Sequence, residues 1–159
     1  MSLAIAASRT TIDMAKALVI GCDHTARPLK AVIAQLCRDK GWQVEDIGTH
    51  SDESCDYPLI AAEAAQLVAD GKVERGILIC GTGVGMNIAA NKIKGIRCAC
   101  CSEPYTAMLM RQHNDANMLA IGARVVGDEL AKMIVTAWLD AEFEGGRHMR
   151  RVGQIDALM

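Results

Sequence analysis

Aromatic residues are nearly missing from this chain: one Phe, two Tyr and two Trp in 159 residues. Its core therefore falls to Ala, Val, Ile, Leu, Met and Cys, and the hydrophobic fraction still reaches 51%, which excludes a disordered chain. An excess of positive charge is also lacking. The formal net charge is -2, and the one basic cluster, Arg147, His148, Arg150 and Arg151, is too short for a nucleic-acid tract. No apolar run approaches the ~20 residues that span a bilayer. Residues 1–16 lack the long apolar stretch of a secretory signal. The expectation is a cytoplasmic protein with neither a nucleic-acid nor a membrane partner. Seven cysteines, at positions 22, 37, 55, 80, 98, 100 and 101, form neither a zinc ribbon nor a thioredoxin motif. Most lie in apolar runs, as small buried thiols do, and this points to a reducing compartment.

What is present is an alternation. Residues 17–21 read as a buried strand, and 28–40 as a helix with Pro28 in its first turn and Leu29, Val32, Ile33 and Leu36 on one face. A strand over 44–47 and an Ala-rich helix over 57–70, stopped by Gly71, follow. The continuous apolar run of residues 76–80 predicts a strand covered on both faces. A glycine-rich loop then opens a short helix ending near Asn91. Strands over 96–101 and 118–121 alternate with helices over 104–113 and 128–139, and 152–158 reads as a last short helix. This order predicts an α/β, three-layer Rossmann-like fold: a five-stranded parallel sheet flanked by helices. Length fits one domain, over 16–159, preceded by an extension (1–15) without a clear period, read as flexible. Parallel sheets of this kind bind ligands at the carboxyl ends of their strands.

The informative residues follow the strands. Cys80-Gly81-Thr82-Gly83-Val84-Gly85 joins the clearest strand to a helix. Glycines let backbone amides converge on an anion, a helix start adds partial positive charge, and such a field favours a thiolate. The loop is not a Walker A sequence; short Gly-rich loops are common, and pattern alone slightly favours a nucleotide-binding loop with an incidental buried cysteine. Asp23-His24 follows the first strand and suits polar ligand contact, or simply a turn. His113 and Asn114 end a helix, where His moves protons near neutral pH or meets the helix dipole. Arg124, Arg147 and Arg151 suit forked phosphate contacts, or a solvated basic face. Taken together, an ionisable thiol, an amide-lined anion hole, an imidazole and arginines fit proton abstraction beside a carbonyl of a phosphorylated substrate. No metal-ligand cluster competes with them in the sequence, and neither metal nor cofactor is expected.

Several stretches in order carry a resemblance. They are Gly21-Cys22-Asp23-His24, Asp56-Tyr57-Pro58, Ile79 to Gly85 with Ile88-Ala89-Ala90-Asn91-Lys92, and Gly95-Ile96-Arg97. They continue with Cys101-Ser102-Glu103-Pro104-Tyr105, Arg111-Gln112-His113-Asn114-Asp115, Gly122-Ala123-Arg124-Val125-Val126-Gly127 and Glu144-Gly145-Gly146-Arg147-His148. The sequence resembles the type B ribose-5-phosphate isomerases, a group that includes allose-6-phosphate and galactose-6-phosphate isomerases. The resemblance implies interconversion of D-ribose 5-phosphate and D-ribulose 5-phosphate through an enediolate, in the pentose phosphate pathway. It implies Cys80 as the base and His113 in opening the furanose ring. Asp23 and Asn114 would hold sugar hydroxyls, and the amides of Gly81, Thr82, Gly83, Val84 and Gly85, with Thr82 itself, the enediolate. His24, Arg124, Arg147 and Arg151 would bind phosphate or line its site. A homodimer or homotetramer with shared active sites is implied too.

Two positions depart from the pattern. One branch of the group uses a glutamate just after the glycine loop as base; Met86 stands there and cannot take a proton. Where the group has a Gly and an aromatic after Asp-His, this chain has Ala26-Arg27-Pro28, which leaves the preferred sugar open. Isomerases of allose 6-phosphate, galactose 6-phosphate or a tetrose phosphate are the near alternatives. A non-catalytic ligand-binding module and a thiol redox sensor built on Cys98, Cys100 and Cys101 are the distant ones.

Overall fold

A computed structural model describes residues 16–158. The leader over 1–15 lies outside the described residues. Five strands and six helices alternate: β1 (Ala17–Cys22), α1 (Arg27–Asp39), β2 (Gln43–Gly48), α2 (Tyr57–Ala69), β3 (Arg75–Cys80), α3 (Val84–Ala90), β4 (Cys98–Cys100), α4 (Pro104–Asn114), β5 (Met118–Gly122), α5 (Asp128–Asp140) and α6 (Arg147–Asp156). The strands form one parallel sheet in the order β2-β1-β3-β5-β4, the three-layer α/β arrangement expected.

Two elements differ from the sequence reading by more than one residue at an end. β4 is three residues long, because Ile96 and Arg97 only lead into it. The last helix begins at Arg147 rather than at 152, because its early turns are basic and solvent-facing and bury only His148 and Val152. A short apolar stripe on a charged helix is easily read as a shorter helix.

Period-two alternation fills both faces of the sheet. Leu18, Ile20, Cys22, Ile77, Ile79, Leu119 and Ile121 pack into one layer with Leu29, Ile33, Ile134 and Trp138 from the helices α1 and α5. Val19, Leu78, Cys80, Met118 and Ala120 point the other way, to Ala61, Ala64, Ala65 and Met86 on α2 and α3. The small side chains of α2 let it lie close to the sheet. All three prolines of the chain open helices: Pro28 in α1, Pro58 in α2 and Pro104 in α4. There the missing amide hydrogen costs nothing.

The two tryptophans are used at the amino end of the sheet. The Arg75 guanidinium lies 5.4 Å from the ring centroids of both Trp42 and Trp138. It also donates to the Trp138 and Leu139 carbonyls at 3.1 Å each, satisfying the end of α5. Burial of this cation lowers its proton affinity.

The chain leaves β1 toward β2 on one side and later enters β3 on the other. The carboxyl ends of β1 and β3 therefore flank the crevice where strand order reverses, the usual ligand position in open α/β sheets.

Candidate active site

At that crevice β1 delivers Asp23, His24 and Thr25. The Asp23 amide donates to the Ile79 carbonyl at 3.2 Å, tying the end of β1 to β3. Asp23 is only 6% exposed. Its Oδ1 accepts hydrogen bonds from the Thr25 amide at 2.9 Å and the Thr25 hydroxyl at 2.6 Å. His24 is half-buried, and its Nδ1 accepts from the Cys55 amide at 3.4 Å. The loop after β2 thus folds against His24. Arg27, at the position of the missing aromatic, is engaged by Asp52 of the same loop.

β3 delivers Cys80, which is 5% exposed, and the glycine loop. The Gly83 amide donates to Cys80 Sγ at 3.2 Å. This requires a left-handed backbone, φ +81°, and a Cβ at Gly83 would stand 2.7 Å from Cys100 Sγ and 2.9 Å from the Ile121 carbonyl carbon. A Cβ at Gly122 would likewise stand 2.7 Å from the Thr82 backbone. The loop folds back over the end of β3 only because both positions lack side chains. Among the described residues the Gly81 and Thr82 amides donate to no protein acceptor. They are free to meet an oxyanion. The helix that follows is only seven residues long, so attraction for an anion comes from these local amides more than from a long helix dipole. Thr82 and Val84 are exposed, Gly81 and Gly85 half-buried. Met86 is fully buried and carries no proton-transfer group.

Arg124 reaches the same place from β5. Its amide donates to the Gly81 carbonyl at 3.0 Å. Its side chain crosses the loop, so that a Cβ at Gly81 would stand 3.6 Å from Arg124 Cδ, 3.8 Å from one of its terminal nitrogens and 3.7 Å from Thr25 Oγ1.

His113 and Asn114 stand elsewhere. α4 starts beyond the carboxyl end of β4 and returns to the opposite end of the sheet. There the Asn117 carbonyl accepts from the amide of Gly76, near the start of β3. Gly76 and Cys80 are four strand steps apart, about 13 Å. The His113 ring is stacked on His148 of α6, with centroids 4.2 Å apart and planes 5° apart. Nε2 of each ring lies 3.7 Å from Glu144 Oε2. Burial, then the charges of His113, Arg147 and Arg151, lower the proton affinity of His148 against the opposing pull of Glu144. Arg147 and Arg151 lie exposed on α6 beside this stack, and Asn114 is exposed at the end of α4. His113, Glu144 and His148 are also the one group of three metal-type donors among the described residues, within 4.8 Å of one another. With the rings parallel, their in-plane lone pairs do not converge on one ion.

The carboxyl end of the sheet therefore gathers Cys80, the loop amides, Asp23, His24 and Arg124. The amino end gathers His113, Asn114, Arg147 and Arg151. Four participants went unassigned in the sequence reading. Thr25, Glu144 and His148 touch named site residues, and Cys100 packs on Gly83, its thiol donating to the Thr82 carbonyl at 3.4 Å. Glu144 and His148 stand in a matching stretch, but nothing in the sequence showed that their side chains meet His113. The Cys98, Cys100 and Cys101 cluster does not look reactive. Burial raises the proton affinity of all three, that of Cys101 to about 12.

Fold and crevice together define a doubly wound α/β protein whose switch-point crevice is the candidate small-molecule site. The chain belongs to the ribose/galactose isomerase family, whose model matches residues 18–155. It is 57% identical over 143 residues to the ribose-5-phosphate isomerase B of Escherichia coli (strain K12), covering 90% of this chain and 96% of that protein. It is 48% identical over 139 residues to the D-erythrulose-4-phosphate isomerase of Pectobacterium atrosepticum, covering 87% and 91%. Among solved structures, the ribose-5-phosphate isomerase B of Clostridium thermocellum matches with a TM-score of 0.87 at 51% identity, covering 89% of this chain and 96% of that one. No helix among the described residues is long and apolar enough to cross a membrane.

Proposed function

We propose that this chain is an aldose-ketose isomerase that interconverts D-ribose 5-phosphate and D-ribulose 5-phosphate in the cytoplasm. The observation that carries the reading is the Cys80 thiol, bonded to the Gly83 amide beside two amides that lack an acceptor. Cys80, as thiolate, takes the proton from carbon 2 of the open-chain aldose and returns it to carbon 1. The proton on the carbon-2 hydroxyl passes to the carbon-1 oxygen. Between the two transfers the Gly81 and Thr82 amides, with the rest of the loop to Gly85, hold the enediolate oxygen. Each such donor is worth roughly 3–4 kcal/mol in comparable sites, and a positioned base on the order of 100- to 10,000-fold. Asp23 and Asn114 hold sugar hydroxyls, and His113 opens the ring. His24, Arg124, Arg147 and Arg151 receive the phosphate.

The separation of the two residue groups supports an active site shared between copies. A homodimer, alone or paired into a tetramer, brings the amino-end group of one copy to the carboxyl-end group of the next. The homologous D-erythrulose-4-phosphate isomerase makes a four-carbon substrate the alternative within the same chemistry. The test is conversion of ribose 5-phosphate to ribulose 5-phosphate with chelator present, with erythrulose 4-phosphate and allose 6-phosphate run in parallel. Fast, chelator-resistant turnover of the pentose supports the reading. Turnover of the tetrose or hexose alone keeps the chemistry and reassigns the substrate, and silence on all three refutes the isomerase.

A further inference from the structure

We infer that Thr25 is a positioning residue for substrate recognition, acting through Asp23; this rests on the sugar-phosphate reading above. Asp23 is a carboxylate held almost wholly out of water at the mouth of the crevice. Such a group needs donors on both oxygens. Its Oδ1 is saturated by one residue, taking the Thr25 amide at 2.9 Å and the Thr25 hydroxyl at 2.6 Å. No group among the described residues donates to Oδ2, yet Oδ2 is not among the sealed, partnerless side-chain atoms, so it opens to the crevice. The two bonds to Oδ1 fix the plane of the carboxylate, and Oδ2 is left as one acceptor with one direction. Thr25 Oγ1 is also the polar side-chain atom nearest to the space above Gly81, at 3.7 Å, with the Arg124 terminal nitrogen at 3.8 Å. The device therefore sits between the loop that meets the enediolate and the arginine that receives phosphate.

A fixed acceptor reads a hydroxyl of a sugar in one orientation. Without the Thr25 hydroxyl the carboxylate keeps one donor and turns about its own bond. The substrate hydroxyl must then order it on binding, a cost met equally in ground and transition states. Such a change falls on KM and leaves kcat.

The experiment is a double-mutant cycle on the full chain, with KM and kcat for ribose 5-phosphate and calorimetric binding of ribitol 5-phosphate, which keeps the hydroxyls of the open-chain sugar, has a hydroxyl in place of the aldehyde and cannot isomerise. Thr25→Val keeps the branched shape and removes the hydroxyl; we expect KM and the ribitol 5-phosphate Kd to rise about tenfold, with kcat within about twofold. Thr25→Ser restores both. In an Asp23→Ala background, Thr25→Val changes Kd by less than about twofold, because the residue it acts through is gone. Wild-type affinity in Thr25→Val overturns the inference. So does a Thr25→Ser variant that behaves like Thr25→Val, which would make the methyl group the functional part, and so does a full tenfold effect that survives in Asp23→Ala. A wild-type chain that binds ribitol 5-phosphate but turns over none of the three sugar phosphates refutes the isomerase and leaves the cycle readable in Kd. A chain that neither binds it nor turns over any of them refutes both.

Discussion

The two ends of the sheet hold different chemistry. The carboxyl end is built from backbone: amides of a glycine loop, a thiol that accepts from one of them, and a carboxylate locked by its neighbour two residues on. The amino end is built from long side chains on helix termini: two stacked imidazoles, a carboxylate between them and flanking arginines. The first is rigid because strand ends and glycine contacts leave it no room. The second rests on ring stacking over a buried His148, with Glu144 and both arginines exposed around it. In the proposed mechanism the proton transfer at carbon falls to the rigid part, where geometry is held tightest. Under the proposed reading, one copy holds only half of the site.

The largest effect tests the carboxyl end alone. Cys80→Ala should lower kcat by about 1,000-fold or more while KM moves by no more than about threefold, as read by ribulose 5-phosphate formation. Near-normal turnover would remove Cys80 from the role of base.

The next test joins the two ends. Cys80→Ala and His113→Asn should each be poorly active alone. Refolded together in equal amounts they should regain about a quarter of wild-type activity, because half the dimers are mixed and one of the two sites in each is intact. No recovery, with mixed dimers demonstrated by native mass spectrometry, would show that each copy works without its neighbour.

A smaller effect isolates phosphate capture. Arg151→Ala should raise KM about tenfold with little change in kcat, since the contact exists in both ground and transition states. An unchanged KM would make Arg151 a surface residue.

The smallest effects are read by pH. His148 binds a proton less readily when folded than its ordinary 6.5. Below that pH the unfolded chain takes a proton that the folded chain refuses, so stability should decline as pH falls from 6.5 toward the folded value, then level off. In a His148→Asn variant that decline should shrink. On the alkaline side, burial pushes Cys22 to about 11 and Cys37 to about 12, from 9.0. The unfolded chain then loses protons first, and stability should fall as pH rises from 9.0 to about 12. Thermal melts across both ranges, with Trp42 and Trp138 as fluorescent reporters of the Arg75 stack, read these changes.

Much of this molecule was legible in the amino-acid order because the deciding forces are local. The apolar run over 76–80 pointed to a doubly covered strand and that over 118–121 to another strand, helices opened at Pro28, Pro58 and Pro104, and glycines at 81, 83 and 85 marked the loop that folds onto Cys80. The start of α6 was missed because its apolar stripe consists of His148 and Val152 in a basic stretch. What the sequence by itself determined was the strand-helix alternation, the sheet it builds and the residue types that end each strand. Tertiary structure alone decided which of those residues meet. Strand order put Asp23 against Ile79, the return of α4 carried His113 away from Cys80, and the turn before α6 stacked His148 on His113. Those outcomes depend on crossover direction and helix packing across the sheet, which are long-range and leave no periodic trace in the chain.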